Sequence, residues 1–169
     1  MGYLHDVDLS VTLPASAGQR AGGAFHSWTV SRELNGVWEL VKGFAAETFQ
    51  LMIPVDLPAS SGSKRAVQLA SIDLWYEIKT ADLSSVPVAA IERVTLPEDG
   101  QAWPAATHPA VTLEGIDLEV VGTPRLRISV DEPFWLGAGE LCRVVVTFEA
   151  PAATAFYYYG ARINFKLRE

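Results

Sequence analysis

The chain has one cysteine, three histidines and only thirteen lysines and arginines in 169 residues. Each scarcity removes a class of function. With Cys142 alone, an intrachain disulfide and a thiolate metal cluster are both out of reach. Cys142 stands in the run Leu141–Phe148 in phase with Val144, Val146 and Phe148, which is how a small buried hydrophobe is placed. A nucleophilic cysteine would need a histidine partner and an electropositive pocket. His5, His26 and His108 are far apart and lack metal-ligand spacing, and the donors His5, Asp6 and Asp8 fall on a stretch too irregular to preorganise a cation site. No metal is expected.

Twenty acidic residues outweigh the thirteen basic ones, for a net charge of −7. Only Lys64 and Arg65 form an adjacent basic pair, so the clustered cations needed to displace counterions from a nucleic-acid backbone are missing. No window approaches the ~18 apolar residues that span a bilayer. Met1-Gly2-Tyr3-Leu4-His5-Asp6 has neither the basic start nor the apolar run of a secretory signal. The expectation is a soluble protein, made in the cytoplasm, with no nucleic-acid or membrane partner. Gly18–Gly23 lacks the Lys-Ser/Thr of a phosphate loop, so no nucleotide cofactor is implied. There is no Gly-x-Ser-x-Gly elbow. Asp73 and Glu77 read as a solvated strand face, and Asp131-Glu132 as a turn before Pro133, so no paired carboxylates converge for glycoside hydrolysis. No catalytic residue is assigned, and the chain does not read as an enzyme.

What the sequence does hold is alternation. From Tyr157 the odd positions run Tyr, Tyr, Ala, Ile, Phe, Leu, and the even ones from Tyr158 run Tyr, Gly, Arg, Asn, Lys. That period of two predicts a long closing strand with the odd set in a core. Phe49, Leu51, Ile53, Val55 and Leu57 repeat likewise up to Pro58. Over Val67–Lys79 the apolar phase changes near Ala70-Ser71, which predicts a β-bulge. His26–Val30, Gly36–Lys42 (after an Asn35-Gly36 turn), Val86–Leu96, Leu118–Val121, Leu126–Val130 and Leu141–Phe148 complete the strand candidates. Strands spaced by turn residues, with almost no helical periodicity, predict an all-β antiparallel β-sandwich, jelly-roll-like in connectivity.

The first 24 residues differ. Leu13–Ala24 is small and glycine-rich, so residues 1–24 read as an irregular N-terminal arm and residues 25–169 as the sandwich domain. Within the arm Val7, Leu9, Val11 and Leu13 alternate with Asp8, Ser10 and Thr12, as in a strand that either exchanges with another subunit or packs on its own domain. Trp75 is out of phase with Leu74, Tyr76 and Ile78, and Trp38 is opposed to Val37, so both project from the sheet face away from the core. Such tryptophans anchor an interface, lie beneath a loop, or stack sugar rings. Val7, Leu9, Val11, Leu13, Trp28, Trp38 and Trp75 are the candidate interface residues, and Trp75 and Trp103 the candidate sugar platforms.

The segment Lys64–Ile78 followed by Thr80-Ala81-Asp82-Leu83, and the Ala-rich turn Ala150–Ala155 leading to the aromatic Tyr-Gly strand and Asn164-Phe165, resemble stretches of uncharacterised bacteriophage virion proteins. That resemblance implies a structural subunit of the virion, foremost a capsid decoration or cement protein. Such a protein self-associates, with a trimer favoured, and adheres to other virion proteins such as the major capsid protein. The alternative is a carbohydrate- or receptor-binding sandwich of a tail fibre.

Overall fold

A computed structural model describes residues 6–21, 28–32, 38–42, 44–55, 67–97, 101–102, 104–137 and 139–168. Two antiparallel sheets pack face to face. The larger runs in the order β3 (Trp28–Arg32), β4 (Trp38–Lys42), β11 (Ala155–Arg168), β6 (Val67–Lys79), β9 (Arg125–Leu136), β8 (Val111–Glu114), and β1 (Asp6–Pro14) lies along the C-terminal part of β11. The smaller runs β2 (Gln19–Ala21), β5 (Glu47–Pro54), β10 (Glu140–Ala150), β7 (Val88–Thr95). From β5 onward the chain crosses repeatedly between sheets, the jelly-roll-like connectivity expected of a sandwich.

The alternating residues supply the core. Phe49, Leu51 and Ile53 of β5 and Val144, Val146 and Phe148 of β10 face Ile72, Leu74, Tyr76 and Ile78 of β6 and Phe156, Ile163 and Phe165 of β11. Phe148 joins the layers, with ring centroids 5.2 Å from Phe49, 4.7 Å from Phe156 and 5.3 Å from Tyr76. Tyr76 carries a hydroxyl into this apolar layer and donates it to the Leu118 carbonyl at 2.7 Å. Lys42 is fully buried at one end of the sandwich, where its ammonium donates to the carbonyls of Ala45 (2.6 Å) and Thr154 (3.0 Å).

The bulge expected near Ala70-Ser71 is present: pairing with β9 jumps from Leu69↔Phe134 to Ser71↔Ser129. The jump passes Val130–Pro133 on β9, so Asp131 and Glu132 lie exposed within a strand and not in a turn. Leu118–Val121 is not a strand. The strand in this region is β8, at Val111–Glu114, while Leu118 lies buried in the turn that follows and its carbonyl accepts the Tyr76 hydroxyl.

The closing strand has the opposite phase over its first part. Phe156 and Tyr158 are buried, whereas Tyr157 and Tyr159 face outward. The register to β6 shifts between Tyr158 and Gly160, so Tyr159 is an extra residue, and only beyond it do the odd positions enter the core.

The expected arm is, over residues 6–21, woven into the sandwich. Strand β1 pairs with β11 of its own chain from Asp6↔Arg168 to Pro14↔Gly160. Leu9, Val11 and Leu13 pack against the core. A 3-10 turn at Ala15–Ala17 then carries the chain to β2 in the other sheet. The small residues that look linker-like permit this crossing, since a Cβ on Gly18 would stand 2.8 Å from the Tyr158 ring. The Asn35-Gly36 turn lies outside the described residues, although β3 and β4, which flank it, do pair as a hairpin.

Candidate functional site

The outer face of the larger sheet gathers polar and aromatic side chains from three central strands. Strand β6 contributes Ser71, Asp73, Trp75 and Glu77; β11 contributes Tyr157, Tyr159, Arg162 and Asn164; β9 contributes Arg125 and Arg127. These residues are neighbours because the ladder register makes them so. Asp73 stands between Arg162 on β11 and Arg127 on β9, and Trp75 between Gly160 and Arg125.

Asp73 is not on a solvated face. It is 2% exposed, covered by its long neighbours. Its Oδ1 accepts from Arg125 Nε (3.2 Å) and Nη2 (2.7 Å), and its Oδ2 accepts from Asn164 Nδ2 (3.1 Å). Ser71 Oγ accepts from Asn164 Nδ2 (3.0 Å) and Arg127 Nη2 (3.2 Å), and Ser10 of β1 donates to Asn164 Oδ1 (2.8 Å). A carboxylate buried this far is stable because charged donors and an amide satisfy its oxygens.

Trp75 rises beside this network, half-buried. The guanidinium of Arg125 lies 5.7 Å and that of Arg162 5.3 Å from its ring centre, both within cation–π range. Next to it a shallow hollow of about 200 Å³ is lined by Thr12, Leu13, Pro14, Trp75, Tyr159 and Gly160. The bulge turns Tyr159 outward onto this spot, and its hydroxyl donates to Glu77, whose carboxylate also meets Lys79 at 3.4 Å. Lys79 in turn sits 4.3 Å above the Tyr157 ring. The result is an aromatic strip edged by fixed hydrogen-bonding groups.

Of the candidate interface residues, the structure brings Leu13 and Trp75 to one hollow. Val7 lies farther along β1 and is 40% exposed. Leu9 and Val11 are turned against the core of their own chain. Trp28 and Trp38 sit on the β3–β4 hairpin at the edge of the sheet, opposite Lys42 and Arg32, and their side chains lie outside the described residues. Trp103 and the histidines at positions 5 and 26 also lie outside them, whereas His108 is exposed in a loop. Tyr159, Arg125, Arg162 and Asn164 were not singled out by the sequence. The available signal was Gly160, since a glycine inside an aromatic strand marks a bulge or a close approach.

A larger cavity of about 700 Å³ opens on the smaller sheet, lined by Pro54, Val55, Val94, Leu141 and Cys142 and edged by Glu92, Glu140 and Arg143. Its charges are already paired. Arg143 Nε meets Glu92 at 2.5 Å, and Arg93 meets Glu140 at 2.5 Å. Burial pushes Glu140 upward, but the Gly137 N–H and the bonds and charge of Arg93 outweigh it and hold its carboxyl below the ordinary value. Burial also drives the Cys142 thiol up to about 12, far from a reactive thiolate. Among the described residues no group of three or more His, Cys, Asp or Glu side chains is arranged to hold a metal ion.

No family model matches the chain, and no curated protein does. Among solved structures it is similar to TmCBM61 in complex with beta-1,4-galactotriose, at 13% identity and a TM-score of 0.49, over 92% of this chain and 91% of that one. It is also similar to the low-affinity xylan-binding module CBM86 from Roseburia intestinalis, at 12% identity and a TM-score of 0.37, over 93% and 94%. A third is the winged bean acidic lectin complexed with methyl-alpha-D-galactose, at 9% identity and a TM-score of 0.40, over 98% and 100%. For the fold assignment, the strand pairing of this chain is sufficient by itself.

Proposed function

We propose that this chain is a non-catalytic carbohydrate-binding module that takes its ligand on the outer face of the larger sheet. The observation that carries the reading is the pairing of Trp75 with the bulged Tyr159 over one hollow, directly beside the Asp73–Arg125–Asn164 network. Sugar rings present an apolar C–H face and a rim of hydroxyls. An aromatic ring suits the first, and amide, carboxylate and guanidinium groups held in place suit the second. Because the network is satisfied within the protein, its groups are preorganised and a ligand need not order them on arrival.

The test is affinity electrophoresis and calorimetry against a panel of polysaccharides. Binding is expected, with Trp75→Ala weakening it by about 2 kcal/mol, roughly 30-fold, as for a central aromatic anchor. A panel without a single binder, or full affinity in the Trp75→Ala protein, overturns the reading.

A second reading, adhesion between copies in a virion assembly, draws on β1. Among the described residues this strand pairs with β11 alone, and Val7 is exposed on it. Sedimentation of the purified chain tests it: a trimer that dissociates when residues 1–14 are removed supports assembly, and a monomer counts against it.

A further inference from the structure

Resting on the carbohydrate reading, we infer that the saccharide taken by this face carries acid groups, carboxylate or sulfate, and that Arg162 binds them beside Trp75, with Arg127 a second cation farther along the face, beside Ser71. The chain as a whole is acidic, with a net charge of −7. Around Asp73 the balance is reversed, because three arginines from two strands surround one carboxylate. Both bonds that Asp73 accepts from arginine come from Arg125, and its other oxygen is taken by Asn164.

Among the described residues no carboxylate forms an ion pair with Arg127 or Arg162. Arg127 donates to the neutral hydroxyl of Ser71, and Arg162 lies over the Trp75 ring. The neighbouring acids of the face, among the described residues, do not pair with these two arginines. Glu114, opposite Arg127 on β8, accepts from Ser129 at 3.0 Å; Glu77 is engaged by Tyr159 and Lys79; and Asp8 on β1 stands opposite Lys166, not Arg162, whose β1 partner is Thr12. Arg162 is exposed, so its fork of donors is available to solvent on the side away from the indole.

A guanidinium that rests on an aromatic ring with no carboxylate partner is held in orientation while keeping its full charge. Its planar fork matches a carboxylate or sulfate with two parallel hydrogen bonds. A neutral sugar would leave this charge unanswered. A uronic-acid or sulfated residue held over the hollow beside Trp75 would place its acid group within reach of Arg162. A nucleic acid is also anionic, but its dense backbone charge would meet the acidic remainder of the surface, whereas a saccharide with one acid per ring places its charge at the cluster alone.

The experiment measures dissociation constants at low and high salt for polygalacturonate, a sulfated galactan, neutral galactan, polyglutamate and a single-stranded oligonucleotide. At least tenfold tighter binding to one or both acidic polysaccharides than to the neutral one is expected, reduced several-fold by added salt. Which of the two binds identifies the acid group. Arg162→Ala and Arg127→Gln should each weaken acidic-polysaccharide binding five-fold or more, with thermal unfolding confirming that the variants fold. Arg143→Ala, on the other sheet, should leave it unchanged.

Equal affinity for neutral and acidic polysaccharides overturns this inference and leaves the carbohydrate reading standing. Polyglutamate or oligonucleotide binding as tight as that of the acidic polysaccharides overturns the ligand class. Absence of binding to any polysaccharide overturns both.

Discussion

Gly160 lies directly across the β11–β6 ladder from Trp75, and a Cβ at position 160 would stand 2.5 Å from the Leu13 carbonyl oxygen. One missing side chain thus lets β1 close on β11. The backbone there has φ of +142°, which side-chain-bearing residues rarely adopt. Gly160→Ala is expected to destabilise the fold by about 2 kcal/mol or more, through strain and contact with backbone that cannot swing aside. Urea unfolding of the two proteins measures this, and an unchanged midpoint would show that β1 does not pack as described.

Two buried tyrosines should answer oppositely to loss of their hydroxyls. Tyr76 donates to Leu118, so Tyr76→Phe should cost about 1 kcal/mol and loosen the turn at Leu118. Among the described residues the Tyr158 hydroxyl has no partner, so Tyr158→Phe should be neutral or stabilising by up to about 1 kcal/mol. Denaturant titrations of both variants check the contrast.

Cys142 should resist Ellman's reagent in the native protein and react on unfolding. Burial raises its thiol from 9.0 to about 12, and Tyr76 and Tyr158 are displaced upward for the same reason. Each group holds its proton more tightly when folded. Their contribution is therefore complete below the unfolded values and is lost as pH rises, beginning near 9 for the thiol. Unfolding free energy should fall between pH 9 and 11, and less steeply in Cys142→Ala. Identical slopes in the two proteins would contradict this assignment.

Lys42→Met keeps much of the side-chain volume but leaves the Ala45 and Thr154 carbonyls without their charged donor. A loss of about 2 kcal/mol is expected, concentrated in the loops that the ammonium ties together. Hydrogen exchange at residues 151–155 should quicken in the variant. Unaltered exchange there would mean that the lysine is not the tie.

Asp73→Ala should remove the shared acceptor of Arg125 and Asn164, lowering stability by about 2 kcal/mol and weakening polysaccharide binding together. Asp73→Asn retains the shape and should keep more of the stability than of the binding. Calorimetry on both variants separates the two effects.

Much of the architecture is determined locally, in the sequence. Alternation along Phe49–Val55, Ile72–Ile78 and Val144–Phe148 assigns inward and outward residues without reference to any partner, because the pleat has a period of two. The phase break at Ala70 likewise announces its own bulge. Cys142 reads correctly as a buried hydrophobe by its phase alone. Where a second strand decides the outcome, single-chain patterning falls short. The tyrosine run at 157–159 alternates equally well in either phase, and the bulge at Tyr159 against β6 goes with the phase that puts Tyr158 inside and Tyr159 outside.

Asp73 has the sequence context of a solvated residue. It becomes buried because β9 and β11 deliver arginine and asparagine side chains to its sides. Register between strands distant in the chain is a property of the folded sheet, and no local run of residues encodes it. The sandwich and its core therefore belong to the sequence. The gathering of Trp75, Tyr159, Asp73 and the three arginines on one face was decided by tertiary pairing, since their meeting depends on which strands lie side by side.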